Sequence, residues 1–137
     1  MRNTRILGGA VTKNTSGSAL IRHGDRNPNW EAELALCATF GGGAKALVLR
    51  FDGSPDNNTW FYVQSIDLTT ADLDVVETKT ISADCTRKLL QCFTNYPFVR
   101  VVWTLTSDNN ATLYLDAVAG SRAMRGVSAQ PIPAVYA

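Results

Sequence analysis

Arg22-His23-Gly24-Asp25-Arg26-Asn27-Pro28 is the stretch of this chain whose residue types and spacing point most directly to covalent chemistry. An imidazole set between guanidiniums could accept a phosphoryl group while the cations stabilise charge on the group in transfer. Ala19-Leu20-Ile21, just ahead of it, could supply the strand that presents it. Such a reaction also needs an acid to protonate the leaving group. His23 is the sole histidine, and nothing marks an Asp or Glu for that task. In purely structural terms, residues 25–28 form a turn and His23 is a polar loop residue.

Other chemistry is thinner still. A lone histidine excludes a multi-histidine metal site, and Cys37, Cys85 and Cys92 lack zinc-ligand spacing. No glycine-rich phosphate loop occurs, so Gly41-Gly42-Gly43 reads as a turn. Asp52, Asp56, Asn57 and Asn58 offer oxygens to a calcium ion but not in the ordered spacing of a calcium loop. No metal or cofactor is therefore expected, and no enzyme. Trp60, Tyr62 and Trp103 could form a sugar-stacking platform; at alternating strand positions they equally suit a core or an interface.

The elements that would position these residues are β-strands. A chain of 137 residues suits one domain with one core. With 45% hydrophobic and 18% charged residues it is too apolar for wholesale disorder. No apolar run approaches the roughly 18–20 residues of a membrane helix, and residues 1–17 lack the apolar stretch of a secretory signal. Three cysteines without CxxC spacing fit free thiols in a reducing cytoplasm. The net charge is +1, but unevenly spread. Arg2, Arg5, Lys13, Arg22, Arg26, Arg122 and Arg125 sit towards the ends, around an acidic body. That asymmetry can signal nucleic-acid contact or docking on an acidic protein surface, or simply solvated arginines; no specific nucleic acid is expected as a partner.

Leu34 and Leu36 alternate with Ala35 and Cys37; Leu47, Leu49 and Phe51 share one face; Val99, Val101, Trp103 and Leu105 form the cleanest alternation, answered by Leu113, Leu115 and Ala117. Turn clusters at 52–58 and 107–110 separate these runs. Residues 60–65 are apolar on both faces, as in a strand covered on both sides. Residues 73–82 read as one strand. Residues 84–93 fit a strand with Leu89, Gln91 and Phe93 on one face, or a short helix capped by Asp84. Several short strands with turns between them predict an all-β antiparallel sandwich, immunoglobulin-like or jelly-roll. The expected organisation is an extended N-terminal arm over 1–30, a sandwich over 31–118 and an extended C-terminal tail over 119–137.

Two resemblances follow from these residues. Residues 22–28 match the RHGxRxP signature of histidine acid phosphatases, in which the histidine is the phosphate-accepting nucleophile. Those enzymes resemble large α/β domains with a second histidine, and this chain is short, β-rich and has one. Phe51-Asp52-Gly53-Ser54-Pro55-Asp56-Asn57-Asn58-Thr59-Trp60, with Asn95-Tyr96-Pro97-Phe98-Val99-Arg100-Val101 further on, resembles a DGSxDxxxW turn and YPxVRV strand common in small virion proteins of tailed bacteriophages. The resemblance covers residues 44–118. It implies a capsid decoration (cement) protein made in the host cytoplasm and carried on the virion. Its partner would be the major capsid protein, and it would be a homo-oligomer, with a trimer suiting a three-fold position. The alternatives are a tail, adaptor or fibre component, with a tail protein as partner, or a glycan-binding module using the Trp60/Tyr62 face. The arms would carry the partner contacts, with Arg5, Ile6 and Leu7 at one end and Ile132, Val135 and Tyr136 at the other.

Overall fold

The computed structural model describes residues 2–24 and 27–121, the side chain of Ser121 apart. Eleven strands follow one another without a helix among the described residues. They are β1 (Arg2–Val11), β2 (Thr15–His23), β3 (Trp30–Phe40), β4 (Lys45–Ser54), β5 (Phe61–Val63), β6 (Ser65–Asp67), β7 (Val75–Val76), β8 (Lys79–Ile81), β9 (Cys85–Thr94), β10 (Phe98–Ser107) and β11 (Ala111–Ser121). One sheet runs β1-β11-β3-β9-β6-β7, and the other β2-β10-β4-β5, with β8 beside β5 on the same edge of β4. All pairings are antiparallel. The order β1-β11-β3-β9 over β2-β10-β4-β8 interleaves early and late strands in both sheets, which is the double Greek key of a jelly roll.

The alternating residues explain the pairing of the layers. Leu34 and Leu36 from β3, Leu47, Leu49 and Phe51 from β4, Val99, Val101 and Leu105 from β10, and Leu113 and Leu115 from β11 are all buried between the sheets. Each strand therefore gives one face to the core and the other to the surface. Trp103 closes the core beside β2, lying over Gly17, where a Cβ would come within 2.9 Å of the indole. Three turns meet at one end. The Asn14 side chain accepts from the Ser107 amide, Asn110 from Lys13, and Asp108 from Ala44. Lys79 on β8 donates to Asp67 on β6 at 2.8 Å, joining the two sheets along their far margin.

The two margins differ. On the near side each sheet ends in a long strand, β1 with ten residues and β2 with nine. On the far side the edges are broken into pieces of two or three residues, β5 to β8.

Several expectations change. Residues 1–30 are not an arm outside the sandwich: β1 pairs with β11 along its length and β2 with β10, so the sheets begin at residue 2 rather than 31. Residues 119–121 still belong to β11. Residues 73–82 split between β7 in one sheet and β8 in the other. The 84–93 segment is strand β9, and Asp84 accepts from the Phe40 amide. Its inward residues are Leu90 and Cys92, with Leu89 buried too by a bulge, while Phe93 is exposed. Phe61 and Tyr62 are 48% and 57% exposed, so β5 is not covered on both sides among the described residues.

Two measurements test this packing. Gly53 lies under the Tyr96 ring, which a Cβ would strike. Gly53→Ala is expected to lower unfolding stability in urea by about 1–3 kcal/mol, and Gly42→Ala, which meets nothing within 4 Å, by no more than about 0.5. Asp67 is partly desolvated, which alone would raise its pKa, but the hydrogen bonds from Lys79 and Thr69 outweigh this and hold it below the usual carboxylate range. A lowered carboxyl contributes stability present above its unfolded pKa near 4 and lost as pH falls through the lowered value. The urea midpoint is expected to drop as pH is taken from about 5 towards 2, and less steeply in Asp67→Asn. Equal slopes would remove Asp67 from the account.

Candidate functional site

The densest polar cluster lies on the outer face of the five-stranded sheet. Arg100, Asp52 and Tyr62 stand abreast on β10, β4 and β5, because the registers pair Arg100 with Asp52 and Asp52 with Tyr62. Arg50, two residues before Asp52, shares that face. The Asp52 side chain is only 3% exposed and lies between the two guanidiniums. Arg50 donates Nε to Oδ1 at 2.9 Å and Nη2 to Oδ2 at 3.4 Å, and Arg100 donates Nε to Oδ2 at 3.1 Å. Each guanidinium also lies over a ring. Arg50 is 5.2 Å from the centre of Tyr62, and Arg100 is 4.1 Å from the centre of Trp60.

The cluster lines a groove of about 410 Å³. A second groove of about 300 Å³ shares both arginines and continues past Thr104 to Ser16 and Ser18 on β2. Two guanidiniums against one carboxylate leave one positive charge in excess. Arg50 Nη1 and both Nη nitrogens of Arg100 make no hydrogen bond among the described residues. The sequence points to Trp60 and Tyr62 as a platform and to Asp52 only as a calcium-type oxygen in a loop, and it marks neither arginine. Arg50 and Arg100 lie far apart in the chain, and β4 continues through Asp52 to Ser54.

The expected partner contacts divide. Arg5 lies on the outer face of the other sheet, where it pairs with Asp116 at 2.8 Å and covers Tyr114 at 5.4 Å. That hydrogen bond holds the Asp116 carboxyl below its ordinary range. Ile6 is the bulged residue of β1, and Ile6 and Leu7 pack against the core while partly exposed. Ile132, Val135 and Tyr136 lie outside the described residues.

The phosphatase-like motif is taken apart by the fold. Arg22 is buried, at 2% exposure, and lies 5.2 Å from the Trp30 ring. Its Nη1 donates to the carbonyls of Tyr96 at 2.9 Å and Thr94 at 3.3 Å, and its Nη2 to that of Asn27 at 2.6 Å. It thus holds loops together, while His23 is exposed; Asp25 and Arg26 lie outside the described residues. The Asp56 carboxylate closes its own turn. It accepts from the Asn58 and Thr59 amides and the Ser54 hydroxyl, which lower its pKa. No group of three potential metal-ligating side chains occurs among the described residues. The three thiols are free, with Cys37 exposed and Cys92 buried, where desolvation pushes its pKa up.

No protein-family model and no curated protein sequence matches the chain. Among solved structures it is similar to the SPBc2 prophage-derived protein YomS, at 13% identity with a TM-score of 0.50, over 87% of this chain and 94% of that one. A protein of the Bacillus endospore appendages, described as disulfide-linked pili, aligns at 14% identity and TM-score 0.40 over 88% and 85% of the two chains. The CBM22-1–GH10 modules of a Clostridium thermocellum xylanase, solved with xylohexaose, align at 12% identity and TM-score 0.44, over 99% of this chain and 25% of that one. At such identities the likeness to YomS is one of fold.

Arg22→Met strips three carbonyls of their donor and is expected to cost about 2–4 kcal/mol in urea unfolding. His23→Ala should stay within about 0.5 kcal/mol. The reverse order would return the motif to a role at the surface.

Proposed function

We propose that this chain is a structural protein of a tailed-bacteriophage virion, a decoration protein that binds the outside of an icosahedral head and stabilises it. The observation that carries this reading is the asymmetry of the sandwich margins. Long edge strands present rows of unpaired backbone groups, and proteins that stay monomeric shorten, break or cover them. The far margin is broken up in this way, whereas β1 and β2 run ten and nine residues along the near one. A margin of that length, bulged once in each strand, suits addition of a neighbour's strand, with backbone hydrogen bonds supplying affinity and side chains such as Arg5, Ile6 and Leu7 the selectivity.

The DGSxDxxxW and YPxVRV pattern of residues 44–118 supports the virion setting, and the fold shared with a prophage-derived protein agrees with it. Residues 122–137 come after the central strand β11 in the sequence and include the anchors Ile132, Val135 and Tyr136. A closed ring of copies, a trimer at a three-fold position, would present several tails at once, multiplying weak contacts with the major capsid protein. A tail, adaptor or fibre position would use the same margin.

Quantitative mass spectrometry of purified particles separates these positions. A ratio near one copy per major shell subunit is expected. A few copies per particle would move the protein to the tail or connector, and absence from the particle would overturn the virion reading.

A further inference from the structure

We infer that the outer face of the five-stranded sheet is a binding site for a carboxylate-bearing saccharide, seated across Trp60, Tyr62, Arg50 and Arg100. The inference is independent of where in an assembly the protein resides.

The first support is preorganisation. Exposed arginines ordinarily lose considerable side-chain freedom on binding a ligand. Here each guanidinium is held twice, by Asp52 along its Nε edge and by an aromatic ring beneath its plane. Asp52 is buried and fixed in β4 between the paired strands β10 and β5. The ordering is done before any ligand arrives. The Nη nitrogens of Arg100 remain as a planar fork, the geometry that matches a carboxylate.

The second support is charge. The cluster carries one positive charge beyond what Asp52 neutralises. A nucleic acid is held through several phosphate contacts, and this face offers two arginines within a body in which acidic residues outnumber basic ones. A ligand with sparse negative charge and many neutral polar groups fits better. Hydroxyls continue the site across the sheet, from Thr104 to Ser16 and Ser18. From β2 to β5 the band spans about 14 Å, at roughly 4.8 Å per strand, so the ligand is an extended chain and not one small anion. Trp60 and Tyr62 add apolar edges, and the faces that the guanidiniums leave uncovered, at one end, where sugar C–H groups would rest.

The test is a tryptophan-fluorescence titration of the full chain with trigalacturonic acid and with a trimer of sialic acid. The controls are neutral xylotriose, sodium acetate and a short single-stranded DNA. Saturable quenching by at least one acidic trimer is expected, with at least about tenfold weaker binding of xylotriose and acetate. Arg100→Ala is expected to lose that binding about tenfold or more, and Arg100→Lys to recover little of it, since an ammonium lacks the fork. Lys88→Ala, exposed on β9 of the other sheet, should bind as the parent does. Because Arg100 is surface-lying, its variants are checked for an unchanged urea midpoint. If a variant does unfold early, Thr104→Glu, which places a carboxylate in the same groove, is expected to weaken binding in its stead. No quenching by either acidic trimer, equal binding of xylotriose, tighter binding of DNA, or undiminished binding by folded Arg100→Ala would each overturn the inference.

Discussion

Neither sheet can be completed without the consecutive strands β10 and β11, one in each layer. β10 lies between β2 and β4, and β11 between β1 and β3. The turn of residues 108–110 is thus the point at which the chain, having laid down its outer strands, crosses from the middle of one layer to the middle of the other. Nearly all the rest depends on that insertion. Leu113 and Leu115 face the apolar side chains of β10 across the core, and β1 has no partner but β11 among the described residues. The pairs are distant in sequence, so loop-closure entropy is spent before most contacts form, and slow folding is the natural companion of this topology. The side chains of Asn14, Asp108 and Asn110 tie the turn between β10 and β11 to the neighbouring turns.

How much of this was legible depended on burial. Where one face is fully buried and the other wet, alternation is sharp, and β3, β4, β10 and β11 were evident from their leucines and valines. β1 and β2 were not. As edge strands they bury little, and β2 meets the core through Ile21 near its end and through Gly17, whose contribution is the space it leaves for Trp103. Periodicity does not register a contact made by an absent side chain. β9 fits a strand or a short helix equally by its spacing, and its inward face is hidden, because the bulge at Leu89 breaks the two-residue period. The split of residues 73–82 was hidden because two strands of two and three residues carry too few positions to show a phase.

The candidate site followed a different logic. Trp60 and Tyr62 drew attention because aromatic residues at alternating positions suggest a surface. What makes the surface specific is Asp52, which sequence placed in a turn because it heads an Asp-Gly-Ser-Pro run. Only the register of three strands brings Arg50, Asp52 and Arg100 together. Conversely, the most suggestive local string in the chain, around His23, proved to be a fastening in which Arg22 clasps backbone carbonyls. Local similarity to a reactive motif says little until the side chains are known to point at open space.

The burial of Cys92 has a consequence for how opening of the fold is observed. Its sulfur sits at the centre of the six-stranded sheet, on β9 opposite Ala32. Burial holds it as the thiol, whereas alkylating reagents consume the thiolate. Cys37 lies on the outside of the same sheet. With the half-buried Cys85 replaced by Ser, the chain contains two clocks read with one reagent. The outer cysteine marks the time of mixing, and the inner one advances only when β9 parts from β3, so the lag between them measures the opening of the sheet itself.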